Sequence, residues 1–305
     1  MANIREISGR MKSIRDTMKI TNAMYMISST KMRKAKKNQE GNVPYFEQLQ
    51  KMFDRIIAGC PELDNTYLDE RTAKKGSNRT KAIIVVTADK GLAGAYNHNV
   101  LKLTEKMLEC EENTKLYVVG EVGRQYFAGK NVHMDGQFKY TAQNPTLHRA
   151  RVIGEKLVSE FRDGEVDEAY IVFTSMKNSM TSEANSIRLL PLSAELNDEE
   201  KAEFDKLAKE EIKFDPSPDD VLNNIIPNMV VGDIYSALVE SYCSEQNDRM
   251  MAMDAANKTA EAMLHELSIE FNRVRQAMIT QEITEVIAGA KAQKKKKARK
   301  EAQKA

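Results

Sequence analysis

The turn Ala88-Asp89-Lys90-Gly91-Leu92-Ala93-Gly94-Ala95-Tyr96 is the stretch of this sequence best placed to do chemistry. It follows a short apolar run and precedes an amphipathic one, the position where a glycine-rich turn cradles phosphate at a helix N-terminus. Its spacing is GxxG and the first glycine of the GxGxxG fingerprint is missing, so a structural turn is favoured over a nucleotide site. The phosphate-loop pattern fails at Gly129-Lys130-Asn131: Asn stands where Ser or Thr is required, and Arg124 occupies the first glycine position. His98, His133, His148 and His265 share no ligand spacing with Cys60, Cys110 or Cys243. No GxSxG nucleophile elbow occurs. The sequence offers no catalytic residue, no cofactor site and no metal site, and the reading as an enzyme is weak.

The elements around this turn alternate between strand and helix. Ala82–Thr87, Leu116–Val119, Tyr170–Thr174 and Ile187–Pro191 are short apolar runs of the buried-strand kind. Helical patterns lie between them, from Asn97 to Glu112, around Val122–Ala128, and from Asn144-Pro145 to Arg162, where Asn144 is expected to cap and Pro145 to open the helix. This alternation predicts an α/β layer domain over 80–193. An acidic stretch follows, taken as a linker over 194–220, with eleven Asp and Glu against four Lys between Glu195 and Asp220.

Long heptad seams flank that domain. Ile4, Ile7, Met11, Ile14, Met18, Thr21, Tyr25, Ser28 and Met32 recur at spacings of three and four, within an N-terminal coiled-coil helix expected over 1–60, with a break or kink near Gly41 and Pro44. Ile20, Ala23, Met24 and Ile27 widen the apolar face and predict a second buried surface there. At the other end, over 221–290, the seam is Met250, Met253, Asn257, Ala260, Leu264, Leu267, Phe271, Val274, Met278, Gln281, Glu285 and Ala288. The two seams are satisfied by pairing antiparallel within one chain, or between chains. A helix from Asn228 to Ala288 is about 90 Å long, more than a core of about 30 Å can accommodate, and is expected to project.

The net charge of +1 over 305 residues hides segregation. Met1–Lys37 carries ten Lys and Arg against Glu6 and Asp16, and Lys291–Ala305 carries eight against Glu301. Basic ends on an acidic body seek an acidic partner. The last segment, 291–305, has no large apolar residue to order it and is expected to be a disordered tail. No apolar run is long enough to span a membrane. No presequence is apparent, and scattered cysteines fit a reducing compartment.

Three stretches resemble the gamma subunit of F-type ATP synthase. They are Lys19-Ile20-Thr21-Asn22-Ala23-Met24-Tyr25-Met26 continuing to Lys31-Met32-Arg33-Lys34, then Ser244 to Ala256, and above all Arg275-Gln276-Ala277-Met278-Ile279-Thr280-Gln281-Glu282-Ile283-Thr284-Glu285-Val286. The turn Asp89-Lys90-Gly91-Leu92-Ala93-Gly94 is similar to the family's Asp-Arg-Gly-Leu-Cys-Gly loop, with Lys for Arg and Ala for Cys. The resemblance spans Met1–Ala290 and implies an α/β fold: a long antiparallel coiled coil of the N- and C-terminal helices, with a Rossmann-like α/β domain inserted between them.

It also implies a central rotor shaft that couples ion-driven rotation of the membrane c ring to the catalytic sites of a hexamer of three alpha and three beta subunits. The shaft is present in a single copy, is bound to epsilon, and meets the membrane only through the complex, without nucleic acid. Lys19, Met24, Lys31, Arg33, Lys34, Glu245, Arg249, Arg275, Gln276, Thr280 and Glu282 match family positions that touch the hexamer. Met278, Ile279, Ile283, Val286 and Ile287 form the tip of the axle. The expected location is the cytoplasmic face of a bacterial cell membrane. The family's redox-switch cysteine pair is absent, and the Lys-rich end runs past the usual family terminus. The competing readings are a nucleic-acid-binding coiled coil with basic ends and a nucleotide-dependent enzyme built on the Val85–Ala95 turn.

Overall fold

The computed structural model describes residues 4–60, 63, 65–68, 79–109, 113–130, 132, 134–136, 138–178, 181–192 and 214–302. In chain order the elements are α1 (Ile4–Glu40), α2 (Val43–Gly59), β1 (Lys81–Val86), α3 (Tyr96–Glu109), β2 (Thr114–Val119), α4 (Glu121–Ala128), α5 (Leu147–Arg162), β3 (Glu168–Met176), β4 (Ser182–Leu190) and α6 (Pro218–Ala302). They divide into two compact units, one of Met26–Ala252 and one of Met1–Tyr25 with Met253–Ala305, so each division falls inside a terminal helix.

The first unit is built on a four-stranded sheet of order β2-β1-β3-β4. β1 pairs in parallel with β2 and β3, and β4 closes one edge antiparallel to β3. Side chains alternate across a strand, so β1 divides its apolar residues between two layers. Ile83 and Val85 pack with Val100 and Leu101 of α3 and Phe127 of α4. Ala82, Ile84 and Val86 belong to a larger core with Ile153, Leu157 and Phe161 of α5, Phe53 and Ile56 of α2, and the start of α6. Burial on both faces explains why β1 reads as a continuous apolar run. At the edge, β4 is largely open to solvent until Leu189 and Leu190.

The start of α6 is apolar nearly all round, with Leu222, Ile226, Val230, Ile234, Leu238, Val239 and Tyr242 buried, as a central core helix must be. It begins at Pro218, where Ser217 accepts a bond from the Asp220 amide at 3.1 Å. Pro227 lies inside it without ending it. The lost backbone bond costs about 3 kcal/mol, offset by buried Ile225, Ile226, Met229 and Val230 on either side. Two close approaches fix this segment. A Cβ on Gly154 would stand 2.8 Å from Val231, and one on Gly232 would stand 2.3 Å from the Phe46 ring.

Several expectations are corrected here. α5 is capped by Thr146, whose hydroxyl accepts from the Arg149 amide at 3.3 Å, whereas Asn144 takes a left-handed φ of 48° in the preceding turn. α2 does not extend the N-terminal seam but sends Phe53, Ile56 and Ile57 into the sheet core. Lys291–Ala302 continue α6 in place of a disordered tail, because Ala, Lys, Gln and Arg are strong helix formers and nothing after Gly289 breaks the pattern. Most of the acidic stretch, 193–213, lies outside the described residues.

In the second unit the two terminal helices pair antiparallel. Thr21 and Asn22 meet Asn257, while Arg10, Ser13 and Ile14 line one groove with Met263, Glu266, Leu267 and Glu270. Ile7 is buried, and Met11, Ile14 and Met18 are half-buried, as are Asn257, Ala260, Leu264, Leu267, Phe271 and Val274. From Arg275 onward every described side chain is exposed. The reason is register. With Thr21 opposite Asn257, Ile4 stands opposite residue 274, and the described part of α1 ends there. Met278, Gln281, Glu285 and Ala288 therefore have no seam partner among the described residues, contrary to expectation. Of the residues expected on a second apolar surface, Met24 is half-buried, but Ile20 is 63% exposed and Ile27 54%.

Candidate functional site

The turn after β1 is built from protein–protein hydrogen bonds. The Ala88 amide donates to Asn97 Oδ1 at 2.9 Å. The Asp89 carboxylate accepts from the amides of Glu121 at 3.1 Å and Gln143 at 3.3 Å and from the Thr141 hydroxyl, which ties three loops together. Thr87 Oγ1 donates to the Val119 carbonyl and accepts from the Gly123 amide. Gly120 has a φ of 97°, and a Cβ there would lie 2.2 Å from the Thr87 carbonyl oxygen, so only glycine fits. Leu92, at a φ of 64° and 66% exposed, is the strained apex.

The strand order reverses between β1 and β3, and in open α/β sheets a ligand sits in the crevice beyond the carboxyl ends of such strands. Here α6 occupies it. Ser244 Oγ donates to the Thr174 carbonyl of β3 at 3.1 Å. The hydroxyls of Tyr96 and Ser241 share a buried bond of 2.6 Å. Ser182, the first residue of β4, donates to Asp248 at 2.7 Å. Arg249 pairs with Glu245 at 2.7 Å and donates to the carbonyls of Lys90 at 3.3 Å and Gly91 at 3.2 Å. The guanidinium thus binds the turn that the GxxG spacing singled out.

Burial sets the electrostatics. The Glu245 carboxyl is pushed above its usual range by desolvation, with Arg249 pulling it back. Its Oε2 has no hydrogen-bond partner among the described residues. Glu240 and Asp248 are raised for the same first reason, and the Tyr96 phenol is held neutral by burial and by Glu245. Among the described residues no three His, Cys, Asp or Glu side chains are grouped to hold a metal ion. What the arrangement does is anchor a helix across the ends of three strands.

The other residues singled out from sequence are dispersed. Lys19 is exposed and paired with Asp16 at 2.9 Å, Met24 is half-buried, and Lys31, Arg33 and Lys34 are exposed. Arg275, Gln276, Thr280 and Glu282 are exposed, as are Met278, Ile279, Ile283, Val286 and Ile287, the last five by 45–72%. Glu245 and Arg249 are the exception: they are buried in the junction and leave almost no surface for a partner, because the crevice desolvates them. Sequence reasoning held Tyr96 only as the end of the glycine-bearing turn and Ser244 and Asp248 only as part of a family-like stretch, and it did not reach Ser182 and Ser241. The bonds these residues make were not legible, because their partners lie up to 145 residues away.

Comparison with known proteins agrees along nearly the whole chain. A family model for ATP synthase matches residues 3–293. An ATP synthase gamma chain of Ruminiclostridium cellulolyticum is 42% identical over 95% of this chain and 98% of its own length. A relative from Acetobacterium woodii, named as a sodium ion specific ATP synthase gamma chain, is 37% identical over 95% and 98%. Among solved structures, a chain of the Euglena gracilis mitochondrial ATP synthase shares the fold at a TM-score of 0.63 and 15% identity, covering 95% of this chain and 94% of that one. A chain from the central stalk and c-ring structure of Tetrahymena thermophila does so at 0.54 and 21%, covering 78% and 99%. The match is continuous through both terminal helices and the sheet between them, and the chain belongs to the ATP synthase gamma-chain family.

Proposed function

We propose that the chain is the central rotor shaft of an F-type ATP synthase. It turns with a membrane c ring and drives conformational change at the catalytic sites of a surrounding hexamer of three alpha and three beta subunits, where ATP is made. The chain itself is non-catalytic. The observation that carries the reading is the overhang of α6. Past Val274 the helix continues to Ala302, and its described side chains, Arg275 to Lys296, are exposed, so Met278, Ile279, Ile283, Val286 and Ile287 are available to an apolar collar. Apolar contact is non-directional and holds an axle without preferring one angle, whereas hydrogen bonds there would each impose about 1 kcal/mol.

The exposed Ile20, Met26 and Ile27 are a further surface for the hexamer to cover. Lys19, Lys31, Arg33 and Lys34 meet its acidic loops, and Arg275, Gln276, Thr280 and Glu282 form polar catches. Exposed ion pairs contribute about 0–1 kcal/mol each, so steric pushing by a stiff rod dominates torque and charge only biases preferred angles. Epsilon and the c ring bind the unit that holds the sheet. No described helix is long and apolar enough to cross a membrane, and we place the chain peripherally, on the cytoplasmic face, held there by the complex.

Two experiments test this. A pull-down from gently solubilised membranes should bring alpha, beta, epsilon and c subunits; recovery of nucleic acid with none of them would overturn the reading. In a reconstituted complex, single charge reversals at Lys31, Arg33 or Lys34 should leave rotation running, and loss of rotation in each of the three would refute steric dominance.

A further inference from the structure

The helix pair formed by the Ile4–Tyr25 part of α1 and the Met253–Ala302 part of α6 is held mainly by aliphatic and Phe side chains, but one level of its seam is polar. Thr21 and Asn257 occupy seam positions and are half-buried. The Thr21 hydroxyl reaches Asn257 Oδ1, and Asn257 Nδ2 donates to Asn22 Oδ1 at 2.6 Å. Thr21 has alternatives within its own helix, the carbonyls of Met18 at 3.1 Å and Thr17 at 3.2 Å. Asn257 is therefore the group that depends on the opposite helix, and both polar atoms of its amide are committed there.

Two consequences follow from the chemistry. Apolar seams repeat every seven residues and tolerate small rotations and axial shifts, since dispersion and burial have no preferred direction. Hydrogen bonds do have one, and they weaken steeply outside a narrow distance and angle. An offset that sets Asn257 against Ile14, one heptad along, strands the amide among aliphatic side chains. For a half-buried amide that water still reaches in part, that penalty is worth up to roughly tenfold in population.

We propose that Thr21, Asn22 and Asn257 form a polar clasp fixing the rotational phase and axial register of the two helices, so that twist entering one is carried by the other without slack. Like a lone polar residue in an apolar seam, the clasp specifies an arrangement rather than adding stability. The proposal concerns the isolated chain and stands apart from the rotor reading.

The test uses the full chain with its three native cysteines replaced and spin labels at Ser13→Cys and Glu266→Cys, exposed positions on the two helices beside one groove. With the clasp intact, the label distance should be a single narrow distribution. Asn257→Leu should keep or raise the melting temperature, yet broaden the distribution at least twofold or add a second peak displaced by up to about 10 Å, the length of one heptad. The exchange Thr21→Asn with Asn257→Thr should restore one narrow peak. A narrow single peak in Asn257→Leu would overturn the proposal. So would a lowered melting temperature in that variant with no broadening, which marks the clasp as ordinary stabilisation. Should Asn257→Leu fail to fold, Thr21→Val with Asn22→Ala strands the same amide and is read against the same outcomes.

Discussion

Replacing Arg249 by Met strips the counter-charge from Glu245, whose side chain is 5% exposed and whose second carboxylate oxygen has no partner among the described residues. Breaking a buried pair in this way costs roughly 3–5 kcal/mol. Protonation limits that figure, because a carboxyl with an ordinary pKa of 4.5 can escape its unpaired charge by taking up a proton. At pH 7 the escape costs about 3 kcal/mol, and at pH 5 less than about 1, at 1.36 kcal/mol per unit. The carbonyls of Lys90 and Gly91 also lose their donor, but that turn is exposed and water replaces it. The expected result is a pH-dependent loss of about 3 kcal/mol at pH 7, most of it gone at pH 5. Hydrogen exchange of the β1 amides Ile83–Val86 reads this directly, as acceleration on the order of a hundredfold at pH 7. Adding Glu245→Gln to Arg249→Met should recover most of the protection. If the loss were the same at both pH values, or the double variant no better than the single, the ion pair would not be what anchors α6.

Gly120→Ala forces a Cβ to within 2.2 Å of the Thr87 carbonyl at a φ of 97°, and should cost at least about 2 kcal/mol, seen as a fall in soluble yield and melting temperature. Gly232→Ala sets two effects against each other: helix propensity favours Ala by about 1 kcal/mol, but its Cβ meets the Phe46 ring at 2.3 Å. The contact should win and lower the melting temperature, and Phe46→Leu should reverse the sign; stabilisation by Gly232→Ala alone would show that the ring moves freely. Glu240, Glu245 and Asp248 all have pKa values raised chiefly by burial, so the folded chain keeps their protons to higher pH than the unfolded one. Their stabilisation is full below the ordinary values of 4.5 and 3.8 and declines as pH rises through the raised ones. The melting temperature of the sheet unit should be higher at pH 5.5 than at pH 8, and Glu245→Gln should flatten that slope; a slope unchanged in the variant would remove Glu245 from the account.

What the sequence made legible follows from how local each signal is. The strands were visible because β1, β2 and β3 are buried on both faces and so read as unbroken apolar runs. The seams were visible because burial on a single stripe repeats every three and four residues, and Thr21 and Asn257 fell into them by spacing alone. The antiparallel direction of β4 was not visible, since an apolar run reads the same whichever way its strand pairs with β3. The end of the seam at Val274 was hidden too: it depends on where α1 runs out opposite α6, a distance set by pairing. Likewise, Glu245 and Arg249 were legible as family positions, but their burial was not, because it depends on a turn 158 and 159 residues before Arg249 in the chain.

A sheet of this topology commonly keeps its crevice free for an exchangeable molecule, so that the shape of the protein follows what is bound. Here the tenant is covalently part of the same polypeptide. Ser241, Ser244, Glu245 and Arg249 are always present at an effective concentration set by the chain and not by the cell. The joint between helix and sheet is therefore filled by the chain's own residues, whatever the concentration of any small molecule around it.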